Sequence, residues 1–176
     1  MLEPRKIRRD TVCAALKQAQ HYRLLNEPAL AESICRDIIA VDATHEEAWV
    51  TLLLSLTDQF DDKKSLAFDQ ANNALEQLSN EFKKHYYSGI IDERWARAQH
   101  KLGLPAESVE SWIRSAMSSF TKAEELAPES DPNPLLRWNT CARFLIEASQ
   151  LRQVFAVSDS LERDVYEEYG DDVPLR

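Results

Sequence analysis

Apolar residues recur along this chain at steps of three and four, the spacing that puts them on one side of a helix. Val12, Ala15, Leu16, Ala19 and Tyr22 share such a side on a first helix, which Asp10 or Thr11 can cap and which should end near Asn26. Pro28 suits the first turn of a second helix carrying Leu30, Ala31, Ile34, Cys35, Ile38 and Ile39. Thr44 and Glu47 have the spacing of a capping box, in which hydroxyl and carboxylate satisfy each other's free backbone amides. The third helix is therefore expected to start there, with Trp49, Leu52, Leu53 and Leu56 on one face. Asp61 or Asp62 is expected to cap a fourth, whose face is Ala67, Ala71, Ala74, Leu75 and Leu78. The alanines on that face let a neighbouring helix come close.

From Glu81 one stripe runs through Tyr87, Ile91, Trp95, Ala98 and Leu102 before Gly103 supplies a natural stop. Gly89 lies inside this fifth helix, where glycine costs about 1 kcal/mol relative to alanine, so its use is to admit a close neighbour. Pro105 opens a sixth helix with Val109, Trp112, Ile113, Ala116, Phe120 and Ala123, closed at Pro128. Pro128 to Pro134 is the clearest linker. Leu135, Trp138, Ala142 and Leu145 follow on a seventh helix, and beyond Ser149 the stripe continues through Leu151, Val154, Ser158, Leu161 and Val165 with no Gly or Pro to separate it. The pattern leaves open whether that end is one helix or two.

These helices form an all-α set of hairpins with an internal step, because Ala15, Ala19 and Tyr22 stand 34 residues before Trp49, Leu53 and Leu56. The first hairpin adds Ala31 and Cys35, the second Ala67, Ala71 and Ala74, and the units around Tyr86 and Trp138 depart further. In this the chain resembles the tetratricopeptide repeat family, whose hairpins pair a W-x2-L-G-x2-Y helix with an A-x3-F helix and a closing Pro. The departures are Ala43 in place of that Pro, a lengthened third unit and a weak last helix. The resemblance implies antiparallel helical hairpins stacked as a short TPR-like α-solenoid over residues 10–169, between a basic arm at 1–9 and an acidic tail at 170–176.

Charge and composition narrow what such an array does. The chain has 176 residues with 30 acidic and 21 basic side chains, a net charge of -9, which disfavours nucleic acid and anionic membrane surfaces. A charged N-terminus without a long apolar run gives neither signal peptide nor membrane span, so a cytoplasmic location is expected. Cys13, Cys35 and Cys141 stand far apart among apolar residues and read as small buried hydrophobes. His21, His45, His85 and His100 are scattered, and His45-Glu46-Glu47 lacks the second histidine of a zinc-binding helix. No metal, cofactor or catalytic residue is therefore expected. Trp49, Trp95, Trp112 and Trp138 lie on apolar stripes and are expected in the core.

The resemblance also implies that the first helix of each hairpin lines a concave groove holding a peptide. Groove positions would fall on Leu16, Gln20 and Arg23, on Val50, Leu54 and Thr57, on Tyr86, Ile90, Glu93 and Arg94, and on Asn139, Arg143 and Ile146. Arg94, Asn139 and Arg143 are the candidates for gripping an acidic segment through paired hydrogen bonds. Against this, Glu93 and Arg97 are spaced to pair with each other on one helix face. The function expected is a non-enzymatic scaffold or adaptor that binds a protein or peptide. The alternatives are an obligate subunit of a larger assembly, a homo-oligomer joined by the basic arm and acidic end, and a helical-bundle enzyme or metal protein.

Overall fold

The ends of the helices follow local chemistry closely. A computed structural model describes the backbone of residues 3–168 and the side chains of residues 3–61 and 66–150, and among them it has helices and no strand. A 3-10 turn at Arg9–Thr11 leads into α1 (Val12–Leu24), followed by α2 (Pro28–Val41), α3 (Glu46–Thr57), α4 (Phe60–Glu76), α5 (Glu81–Lys101), α6 (Ala106–Leu126) and α7 (Asn133–Glu168). The α1–α2 and α5–α6 turns are built alike. Asn26 and Gly103 take left-handed backbone with φ of 60° and 74°, while the amides of Glu27 and Leu104 donate to the carbonyls of Tyr22 and Gln99. This is the Schellman arrangement, and a proline follows it by two residues in both cases.

Three expected caps are corrected. Thr11 stands at the N-cap of α1, but its hydroxyl donates to the Arg8 carbonyl at 2.7 Å and no side chain caps the helix. Thr44 does not close a capping box, because Asp42 accepts both its amide and its hydroxyl at 3.1 and 2.8 Å and draws the side chain away from the helix. His45 caps α3 instead, its Nδ1 accepting from the Ala48 amide at 3.3 Å. Helix α4 begins at Phe60, ahead of Asp61 and Asp62, and its N-cap Gln59 turns its amide group to Glu32 and the Ser55 carbonyl. Phe60 is held in the core with 1% exposure, and this burial pulls the helix start forward.

The chain divides into two compact units, Met1–Cys141 and Ala142–Arg176. In the first, each of α1 to α5 packs on the next, and α1 and α5 both also touch α3. One core cluster joins Ala19, Ala31, Cys35, Leu53, Leu56, Phe60, Ala71, Ala74 and Ile91, with Tyr22, Trp49, Phe68 and Trp95 packed on its margin. A second joins Val12, Leu16, Ile38 and Ala48, and Ile7 of the basic arm packs against it. The tryptophans are half-buried at core edges, with Trp49 donating its indole N–H to the Ala43 carbonyl at 2.8 Å. In the second unit the α7 backbone is helical past Ser149 as far as Glu168. The stripe Leu151, Val154, Ser158, Leu161 and Val165 lies outside the described side chains, and the tail at 170–176 outside the described residues. Among the described residues no helix is long and apolar enough to cross a membrane.

Gly89 has the role its position suggests. A Cβ there would stand 2.6 Å from Cε1 of Phe120 on α6, a fully buried ring. Gly89→Ala should therefore destabilise the protein by roughly 1–3 kcal/mol from overpacking, offset by about 1 kcal/mol of helix propensity. Urea unfolding should show a net loss in the wild-type background. In a Phe120→Leu background the same substitution should become neutral or stabilising, and equal losses in both backgrounds would contradict the contact.

Candidate functional site

Helices α1, α3 and α5 are tied together by side chains 35 and 36 residues apart. Arg23, in the last turn of α1, donates from Nε to Oδ2 of Asp58 at 2.8 Å, and Asp58 caps the C-terminus of α3. Arg94 of α5 reaches the same carboxylate from the other side and donates from Nη1 to the Thr57 hydroxyl at 2.7 Å. Separations of 35 and 36 residues link these pairs. The side chains of Asp58 and Arg94 keep 22% and 26% of their exposure, so the pairing is partly shielded from solvent. Shielding strengthens the attraction and also makes an unpaired member costly.

Beside Arg94 on α5, the Glu93 side chain is 3% exposed and accepts from Arg97 Nε at 3.1 Å and from Arg137 Nη1 of α7 at 3.3 Å. The pairing of Glu93 with Arg97 expected from their spacing is present. Lys101 of α5 pairs with Asp61 at 2.7 Å. Thr57, Asp58, Phe60, Asp61, Arg94, Arg97, Ala98 and Lys101 line a cleft of about 210 Å³ between the α3–α4 turn and α5.

The groove candidates thus separate into four groups, in a charged network, an aromatic cluster, the core and α7. Arg23, Glu93 and Arg94 come together in the charged network, already engaged with partners of their own chain. Tyr86 stands in an aromatic cluster, stacked on Phe82 at 5.9 Å and tilted against Phe120. Ile90 is 3% exposed and belongs to the core, while Asn139 is half-buried on α7. Arg143 is exposed and lies in the second unit. Asp58 and Arg137 complete the network and were not candidates from the sequence. The signal for Asp58 was its place about one repeat from both Arg23 and Arg94; nothing local marks Arg137.

Titration follows from burial. Arg94 is lowered by desolvation, opposed by Asp58 and reinforced by repulsion from Arg23 and Arg137. Burial pushes the Cys35 and Cys141 thiols up to about 12. Cys13 is exposed, correcting the expectation of three buried cysteines, because Val12, Leu16 and Ala19 take the inner side of α1. Asp92 is buried between α5 and α6 and raised by desolvation, with the Ser115 hydroxyl donating at 2.7 Å in opposition. Among the described residues no group of three His, Cys, Asp or Glu side chains could hold a metal ion. No family model, curated protein or solved structure matches this chain.

Two measurements check these environments. A thiol reagent at neutral pH should modify one cysteine of the native protein quickly and all three only after denaturation; fast loss of a second native thiol would contradict the burial. For Asp92 the folded carboxyl binds its proton more tightly than the unfolded one. Its contribution is fully present below the unfolded pKa and is lost as pH rises through the raised folded value. Asp92→Asn should accordingly be more stable than wild type at neutral pH, with the advantage gone at pH 3 in urea unfolding.

Proposed function

We propose that this chain is a non-enzymatic protein-interaction module, a TPR-like stack of helical hairpins that holds a peptide or protein segment along the face of α1, α3 and α5. Its setting would be the cytoplasm. The observation that carries the reading is register. Polar side chains meet between successive hairpins at separations of 35 residues for Arg23 and Asp58, 34 for Arg36 and Gln70, and 33 for Glu46 and Ser79. Contacts at one repeat step on several faces are what stacked hairpins produce, and stacking aligns equivalent faces of the first helices into a continuous surface. On that surface Gln20 is exposed and Val50 and Leu54 are half-buried, so apolar contact area lies beside the Arg23–Asp58–Arg94 network. Apolar contacts would give affinity and the arginines charge selection.

Exposed leucines favour a second reading, an obligate assembly subunit. Leu24 is 85% exposed, and Leu25, Leu102 and Leu104 are also exposed at the ends of the first and third hairpins.

Affinity capture from native lysate, compared between wild type and Gln20→Trp with Val50→Trp, tests the groove. The double variant blocks the face without touching an ion pair. It should keep its helical circular dichroism and lose the wild-type partners; retention of all partners would reject the groove. A size-exclusion run of the purified chain separates the two readings, since a stable monomer counts against the obligate subunit.

A further inference from the structure

The C-terminal ends of α1, α3 and α5 meet along one rim of the array. Arg23, in the last turn of α1, bonds Asp58 at the end of α3, and Lys101, in the last turn of α5, bonds Asp61 in the first turn of α4. Large apolar side chains flank these bonds. Leu24 and Leu25 directly follow Arg23, and Leu102 directly follows Lys101, all three of them exposed. Helix α3 touches both α1 and α5, so the leucines stand on either side of it, with the cleft at Arg94, Arg97 and Lys101 between them. Packed helix axes lie about 8–10 Å apart, which puts Leu24 and Leu102 roughly 20 Å from one another. About six residues of extended chain cover that span.

Charge decides what such a rim accepts. Among the described residues, Arg23, Arg94, Arg97 and Lys101 meet three carboxylates there, Asp58, Asp61 and the buried Glu93. The rim is thus locally positive on a chain whose net charge is -9. Asp58 and Asp61 already accept from cations of their own chain, so an incoming cation would have to displace one. An incoming carboxylate displaces nothing, because Lys101 is 67% exposed and an ammonium has three N–H donors, enough for a second acceptor beside Asp61. We infer that this rim docks a partner protein through an extended segment in which one aspartate or glutamate lies between two large apolar residues, the carboxylate entering the cleft beside Lys101 and the apolar side chains covering Leu24 and Leu102. The inference rests on the interaction-module reading and names the chemistry selected at one end of its groove. Buried apolar area supplies affinity, and the carboxylate sets which segment fits.

Binding of the full chain to three degenerate peptide libraries tests this: Leu-x-x-Glu-x-x-Leu, the same with Lys for Glu, and the same with Ser for both Leu. The glutamate library should bind about tenfold more tightly than either of the others, the ratio expected of one charge-assisted hydrogen bond. Lys101→Glu should abolish the preference for glutamate over lysine, and Leu24→Ser with Leu102→Ser should weaken binding of the glutamate library severalfold. Both variants change exposed side chains, and unaltered circular dichroism checks that they fold. Equal binding of the glutamate and lysine libraries, or indifference to Lys101→Glu, would overturn the inference and leave the interaction module standing. A dimer of the purified chain that the leucine variant dissolves would overturn it in favour of a second copy of this chain. If no library binds, the capture experiment with Gln20→Trp and Val50→Trp decides: lost partners leave the module without this selectivity, and an unaltered partner set removes both readings.

Discussion

The helices of residues 1–141 come close because many of the side chains between them are no bigger than a methyl group, and that closeness governs what is built on them. Ala19, Ala31, Ala67, Ala71, Ala74, Ala96, Ala98, Ala116 and Ala123 are all buried. Gly89 goes one step further and lets an aromatic ring lie against the α5 backbone. Small residues bring helix axes together, so that the larger residues Leu53, Leu56, Phe60 and Phe120 fill the remaining spaces at interior density. No hairpin could bury these faces alone. Each depends on the next for the other half of its core.

Close packing of the helices also fixes what their polar edges can reach. Asp58 sits where the C-terminus of α3 passes between α1 and α5, and so a single carboxylate can serve two arginines that are more than seventy positions apart in the chain. On α5, consecutive residues Glu93 and Arg94 face different partners, one toward α7 and one toward α3. The network is therefore a consequence of helix spacing as much as of charge, and its members are unequal. Glu93, almost wholly enclosed, depends on both of its guanidiniums, whereas the Arg8–Asp10 pair is open to water and contributes little.

Helix positions were legible in the sequence because the three-and-four spacing of apolar residues is strong from Val12 to Ala123, and because Asn26, Gly103, Pro28 and Pro105 punctuate it. The caps were less so. Thr44 and Glu47 have the right spacing for a capping box, but Asp42 competes for the threonine through a bond within the turn. Cys13 follows the same local logic as Val12 yet lies a third of a turn around from the inner face of α1. For the charged network, the resemblance implied groove positions for Arg23, Glu93 and Arg94, and nothing in the sequence showed that Asp58 and Arg137 would answer them. Ile90 was assigned to the groove by analogy with repeat positions, and it is 3% exposed. Pairings across forty residues depend on how hairpins stack, which periodicity within a helix does not encode.

The order in which the helices touch has a bearing on how the chain reaches this state. From α1 to α5 each helix packs on its successor, and the longer-range contacts of α1 and α5 with α3 span only one hairpin. Little loop-closure entropy has to be overcome before a contact forms, and topologies of this kind fold quickly. A helix pair formed anywhere in this stretch offers an open face to the next helix, so folding can begin at either end of α1 to α6 and spread by addition. During synthesis the N-terminal hairpin, with Ile7 already folded back on Val12, Leu16, Ile38 and Ala48, can assemble before α5 has been made.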